Sequence, residues 1–265
     1  MYDFYLLIPC YNNIEGLIVS LQSVKYPKEK HCILIVDDGS THPVTPEILP
    51  KELYTFHIIE ILRLAENKGI TEALNTGLNF ILKKNDASLI ARLDCGDICH
   101  PLRFIRQVEE FNNDQELMLL GSWCCFKKKN SNQQYIYHTA LTHMSIVRQM
   151  HWKCSFIHPT VMFSKKVIEE SGVYPSEYTY AEDYAFFFKI CLTHTVKILQ
   201  EILVTSEISS LGISATKRKA QRAAIIRVLK QFSIYKYLMF VGILRQYVLY
   251  LMPETMLLYI KRRIF

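Results

Sequence analysis

The sequence predicts an α/β fold, a mainly parallel sheet flanked by helices with a helical C-terminal extension. Three observations predict it. Over the first hundred residues, short apolar runs alternate with longer stretches of helical period. The chain has 265 residues and is 50% hydrophobic, enough to bury a large core. From about Thr216 the pattern becomes basic and amphipathic.

The strand signals come first. Residues 4–8, 32–36, 57–62 and 88–93 are apolar, short and bounded by turn residues, as buried parallel strands are. Between them, residues 14–24 and 71–82 have helical period, and the second puts Ala73, Leu74, Gly77, Leu78 and Ile81 on one face. From about Leu117 the rhythm changes. Runs at 117–126 and 134–137 flank the lysine-rich KKKNSN and predict a hairpin. Residues 182–192 follow as a helix and 196–204 as a strand. The chain divides into 1–115 and 116–215, two halves of one domain, and a basic amphipathic tail, 216–265.

In that tail Lys217, Arg218, Lys219, Arg222, Arg227 and Lys230 alternate with Ala223, Ile225, Ile226, Val228 and Leu229. The apolar stretch beyond is broken by Arg245-Gln246 and Pro253-Glu254, so no run reaches the ~20 residues of a membrane span. Apolar faces with basic flanks predict a helix lying in the membrane interface. The alternative is a terminal helical hairpin packed on its own domain or on a second subunit, which leaves a homodimer open.

The balance of 31 Lys and Arg against 25 Asp and Glu permits anionic partners, and nucleic acid is not predicted among them. Eight cysteines are scattered without a CxxC pair, against a disulfide scaffold or zinc site and for a reducing compartment. The opening MYDFYLLIPCYNN has no basic n-region, so no signal peptide is predicted and the expected location is cytoplasmic.

The chemistry concentrates where strands end. LIARLDCGDICHPLR delivers Asp94 and Asp97 onto a loop with Gly96 between them. Acids at a strand's carboxyl end sit where open α/β sheets bind ligands. Two hard oxygen donors there suit Mg²⁺ or Mn²⁺ held with substrate phosphates, unless they merely cap the helix starting near Leu102. IPCYNNIEGL and IVDDGST place an aromatic-plus-amide loop beside an acid-plus-glycine loop. A ring there can pack on a base, and a carboxylate can accept from an N–H or a ribose hydroxyl. Glu15 falls in a first helical turn, which favours acids. In ENKGITEALNTGL, Asn67 and Gly69 make a tight loop, Lys68 offers a cation near phosphate, and Thr71 is a candidate cap. YAEDYAFFFKI opens a helix with Glu182-Asp183 against an aromatic wall, where partial desolvation suits a general base. His158, before Pro159 in SFIHPTVMF, is either structural or a phosphate or metal contact.

In order and spacing these segments resemble the family 2 nucleotide-sugar glycosyltransferases, inverting enzymes of the GT-A fold, above all the bacterial branch that builds O-antigen, capsule and lipooligosaccharide glycans. The resemblance runs from about Tyr5 to Leu192 and more loosely into LGISATKRKAQR. PCYNNIEGL is similar to the family's P-x-Y-N-x-x-x-x-L opening, VDDGST to its base-binding segment, RLDCGDICHPLR to the R-x-D-x-D-D-x-x-x-P-x-R metal neighbourhood, and HPTVMF and AEDY to its acceptor-side elements. The resemblance implies Asp38 at the uracil, with Pro9, Tyr11 and Asn67 lining the nucleotide; Glu15, Lys68, Arg92 and Asp94 are further candidates to bind the nucleotide-sugar. It also implies Mn²⁺ or Mg²⁺ at Asp94 and Asp97, Asp183 as catalytic base, and Glu182 beside it. One departure stands out: Gly96 occupies the place of an acid that often contacts the metal. The outcomes are a shifted ligand, weaker metal dependence or lost activity, and the first, with Asp97 swung inwards, is the one expected. The expected reaction moves one sugar from a UDP-sugar to a hydroxyl of a lipid-linked or lipooligosaccharide acceptor at the inner face of the plasma membrane. The alternative is a non-catalytic glycan- or nucleotide-binding subunit.

Overall fold

The computed structural model describes residues 1–128, 133–208 and 216–252. The tip of the lysine-rich turn and the LGISA part of the looser resemblance lie outside them, as does the chain from Pro253. The first apolar run is β1 (Tyr2–Cys10), followed by β2 (His31–Asp37), β3 (Ile58–Arg63) and β4 (Ala87–Arg92). β2 is buried along its whole length, so it carries a continuous apolar run rather than an alternating one. All four strands run parallel in the order β3-β2-β1-β4. The chain thus steps outward from β1 to β3 and returns on the other side of β1. That reversal opens a crevice at the carboxyl ends of β1 and β4, where ligands bind in open α/β sheets.

The crossovers between these strands are α1 (Ile14–Ser23), the short α2 (Leu53–Phe56) and α3 (Ile70–Lys83). The predicted face of α3, Ala73, Leu74, Gly77, Leu78 and Ile81, is the buried one. Thr71 is not its cap: Gly69, at φ +88°, precedes the first turn and no side chain caps it.

The second half mixes directions. β6 (Leu117–Lys128) and β7 (Gln134–Tyr137) pair antiparallel, as the hairpin signal predicts. β8 (Met162–Ser164) runs antiparallel between β4 and β6, and β9 (Thr195–Ile208) runs parallel to β6. The two-residue β5 (Ile98–Cys99) closes the sheet against β9. One face carries α1 and α4 (Arg103–Asn113), burying Leu17, Leu21 and Phe104. The other carries α3, α5 (His143–Met150), α6 (Lys165–Ser171) and α7 (Glu182–Thr193). In α7 the consecutive Phe186, Phe187 and Phe188 are all buried, because this helix is covered all round.

The extension is a helical hairpin, α8 (Arg218–Phe232) and α9 (Lys236–Leu251). The basic helix α8 packs on its own domain: Ala224, Val228 and Leu229 join the core that includes α7, and Phe232 lies 6.0 Å from the rings of both Tyr178 and Phe188. The hairpin alternative therefore describes α8. Arg222 joins the two helices by donating to Gln246 Oε1 at 2.7 Å. No helix among the described residues is long and apolar enough to cross a membrane.

Candidate active site

Three loops meet at the carboxyl edge of β1, β2 and β4, and side chains stitch them together. Asn12, in the left-handed region at φ 48°, accepts from Thr41 N at 2.9 Å, and its own N–H donates to Ser40 Oγ. Asn13 caps α1 by accepting from Gly16 N and donates to the Cys95 carbonyl at 3.2 Å. Ser20 donates to the Asp94 carbonyl and accepts from Gly96 N, fixing the 94–97 loop from beneath. That role was legible only as a polar residue in phase with the apolar Leu17 and Leu21.

The two acids of the DDGS turn divide the work. Asp37 accepts from Ser40 N and Val44 N, shaping its own turn. Asp38 accepts from Asn67 Nδ2, Lys68 N and Gly69 N at 2.8–3.0 Å, so it holds the 67–69 loop. A carboxylate has about four acceptor positions, which leaves roughly one for a ligand. Gly39 has φ +69°, and a Cβ there would lie 2.3 Å from the Glu66 backbone carbon, so only glycine lets the loops touch. Tyr11, Asn67 and the Lys68 side chain line this edge exposed, Pro9 is half-buried, and Glu15 is exposed in the first turn of α1.

Across the crevice stands a polar cluster on a buried guanidinium. Arg92 is fully buried and donates to the Leu7 carbonyl at 3.0 Å, to Asp94 Oδ1 at 2.7 Å and to His158 Nε2 at 3.3 Å. Because arginine only donates, His158 must accept through Nε2 and carry its proton on Nδ1. Burial and the adjacent guanidinium push this imidazole well below its ordinary range, so it is neutral. Tyr174 places its hydroxyl 3.0 Å from the same nitrogen. The sequence pattern alone did not mark Tyr174. Arg103, also fully buried, donates to the Arg92 carbonyl at 2.7 Å and to Gln107 Oε1. His158→Ala should leave a buried Arg92 N–H without an acceptor and lower stability by about 1–3 kcal/mol. His158→Gln should recover part of that loss in a denaturant titration; equal losses would place the cost in ring packing instead.

Asp183 is half-buried at the start of α7 and accepts from Tyr184 N at 2.7 Å. Desolvation first, then the like charge of Glu182, pushes its carboxyl up to about 7, with a smaller push from Asp94. Glu182 is buried, its Oε2 has no hydrogen-bond partner, and burial raises its pKa. Asp94 thus shares one electrostatic neighbourhood with Glu182 and Asp183, although 88 residues separate it from the nearer of them in sequence. Tyr180, two residues before Glu182, sits at φ 71° in the left-handed region, and Gln221 of α8 donates to its carbonyl. Such strain in a non-glycine residue concentrates at functional sites.

Asp97 is not brought to this cluster. Its side chain turns under the end of β9, where Oδ1 accepts from Glu207 N at 3.3 Å and Oδ2 is buried without a partner. Desolvation, reinforced by Asp94, pushes its carboxyl up to about 8. Neither acid caps α4, whose first turn has no side-chain cap. Gly96, at φ +101°, has open space where a Cβ would be, so backbone conformation rather than crowding keeps an acid from that position. A cation would therefore find one outward carboxylate, the partly exposed Asp94 with one oxygen already on Arg92. Among the described residues no group of three His, Cys, Asp or Glu could hold a metal. That donor set fits a Mg²⁺ or Mn²⁺ carried largely by substrate phosphates, and does not fit a closed protein cage.

A family model described as glycosyl transferase family 2 matches residues 5–172. The bifunctional glycosyltransferase pgtA of Dictyostelium discoideum is 26% identical over 212 residues, covering 68% of this chain but only 27% of that one. The amylovoran biosynthesis glycosyltransferase AmsE of Erwinia amylovora is 27% identical over 207 residues, 76% of this chain and 74% of its own. Among solved structures, S. aureus TarS 1–349 in complex with UDP-GlcNAc superposes with a TM-score of 0.68 at 16% identity, over 94% of this chain and 73% of that one.

Proposed function

Since the chain belongs to glycosyl transferase family 2, we propose that it moves one sugar, with inversion, from a UDP-sugar to a hydroxyl of a bacterial surface glycan acceptor. The observation that carries this is the meeting of Asp94, at the switch-point crevice, with an Asp183 whose carboxyl is pushed up to about 7. The Asp38-organised loop, with Tyr11 and Pro9, seats the nucleotide base, and Lys68 faces the diphosphate. UDP is the nucleotide bound in the TarS structure of the same fold, which supports this choice of donor.

Asp183 accepts the proton of the acceptor hydroxyl as its oxygen bonds to the anomeric carbon. The bond from that carbon to the diphosphate oxygen breaks on the opposite face, and UDP leaves with the electron pair. A single base with in-line attack gives inversion. Glu182 keeps Asp183 basic enough to act near neutral pH. Arg92, held by His158, aims Asp94 at the diphosphate. Asp94 would hold the Mn²⁺ or Mg²⁺, which when bound neutralises charge on the leaving group. The second half, from His158 to the aromatics around Tyr178, shapes the acceptor side. The similarity to an amylovoran biosynthesis enzyme supports a bacterial glycan acceptor. We take that acceptor to be lipid-linked and the enzyme to work at the inner face of the plasma membrane.

Thermal unfolding with a panel of UDP-, GDP- and dTDP-sugars, with and without Mn²⁺, tests the donor. A ligand at 100 times its Kd adds about 2.7 kcal/mol, which raises Tm by several degrees in a chain of this size. One UDP-sugar should do so, more strongly with Mn²⁺. If no nucleotide-sugar moves the transition, the second reading gains, a glycan-binding subunit without donor chemistry; Gly96 in the place of an acid is what favours it.

A further inference from the structure

The face of α9 turned away from the protein is apolar along its length. Tyr237, Phe240, Val241, Leu244, Tyr247, Val248 and Leu251 recur at three- and four-residue spacing and are all exposed. Phe240 is 67% exposed, Leu244 54% and Leu251 79%. Single exposed apolar residues are ordinary, but a contiguous stripe on a helix about 24 Å long is not. No charged residue interrupts it. The inward side packs Met239 and Ile243 on the core and buries Gln246 against Arg222.

What covers this stripe is indicated by charge. Residues 216–252 contain eight Lys or Arg and no Asp or Glu. Lys217, Lys219, Arg227, Lys230 and Lys236 are exposed on the same hairpin. A second copy meeting it across a two-fold axis would set these cations against one another. An anionic bilayer surface satisfies both features, taking the apolar stripe below its headgroups and the cations at them. Tyrosines at 237 and 247 suit that boundary, with an apolar ring and a polar tip.

We infer that the outward face of α9, rather than the basic helix α8, is the surface by which this protein lies in an anionic membrane interface. α8 carries charge to the headgroups while its own apolar side stays in the protein core. The inference takes its purpose from the lipid-linked acceptor proposed above, but it is tested without turnover.

Because α8 is part of the core, removing the extension would disrupt the domain, and point variants on α9 are the proper test. The full chain is floated with phosphatidylcholine vesicles and with mixed phosphatidylcholine–phosphatidylglycerol vesicles, alongside Phe240→Glu/Leu244→Glu and Lys219→Gln/Lys230→Gln. Circular dichroism and the thermal transition verify that each variant is folded. The wild type should float with the anionic vesicles, less so at high salt. The glutamate pair should bind at least about tenfold less. The glutamine pair should lose binding to anionic vesicles by several-fold. Equal flotation of the wild type and the glutamate pair overturns the inference. So does a wild type that ignores vesicles and sediments as a dimer which the glutamate pair dissociates, or one that floats only after residues 253–265 are removed. Loss of donor binding in the thermal panel with vesicle binding intact would sink the proposed reaction and leave this surface standing.

Discussion

Asp183→Asn is expected to lower kcat by about 10²–10⁴-fold while UDP-sugar affinity stays within a few-fold of wild type. The amide keeps the size of the side chain and an oxygen for the Tyr184 N–H, so the helix start is preserved and only the proton acceptor is lost. A pH profile adds a readout that a structural role would not move. With its carboxyl pushed up to about 7, Asp183 is half protonated at neutral pH. Turnover should therefore climb tenfold per pH unit below about 7 and level off above it. Glu182→Gln removes the second-largest cause of that elevation and should move the limb to lower pH. It should not abolish the limb, because desolvation is the largest cause and remains. Loss of donor binding in Asp183→Asn, or an unchanged pH limb in Glu182→Gln, would remove Asp183 from the role of base.

The second large effect separates the two acids of the β4 loop. Asp94→Asn should weaken metal-dependent UDP-sugar binding by about 100-fold, or roughly 2.7 kcal/mol, measured by calorimetry with and without Mn²⁺. Asparagine still offers Arg92 an acceptor, so the fold should survive. Asp94→Ala leaves the buried guanidinium without its carboxylate and should also be less stable, since an uncompensated buried charge costs several kcal/mol. Asp97→Asn, by contrast, should leave donor affinity unchanged within a factor of about two and alter stability instead. The folded carboxyl titrates at about 8, whereas an unfolded one titrates near 4. Between those values the folded chain holds a proton that the unfolded chain gives up. The contribution is complete below about pH 4 and is lost as pH rises through about 8. Asp97→Asn should remove that slope, so its Tm advantage over wild type should grow from pH 4 to pH 8. If Asp97→Asn instead loses metal-dependent binding, the loop turns over when the donor binds and Asp97 takes the place that Gly96 cannot fill.

Hydrophobic period and Gly and Asn turns are local signals, and from them the sequence sets the element types: β1 to β4, α1, α3, α7 and the β6–β7 hairpin. The order of motifs and the family resemblance named the candidate residues, and the fold brings most of them, from Tyr11 to Asp183, to one crevice. Several matters lay beyond the sequence, each settled by a contact between distant parts of the chain. The inward turn of Asp97 was decided by Glu207, 110 residues away, and the position of Asp94 by an Arg92 that the distant Leu7 and His158 hold in place. The grip of His158 and Tyr174 on Arg92 spans 66 residues at its first step. The division of the extension into a core helix and an outward one depended on Val228 and Leu229 meeting the aromatic residues of α7. A carboxylate next to a glycine can face either way by local energetics alone. A backbone N–H from a distant strand or a buried guanidinium selects the direction, and those are in place only once the sheet has brought its two halves together.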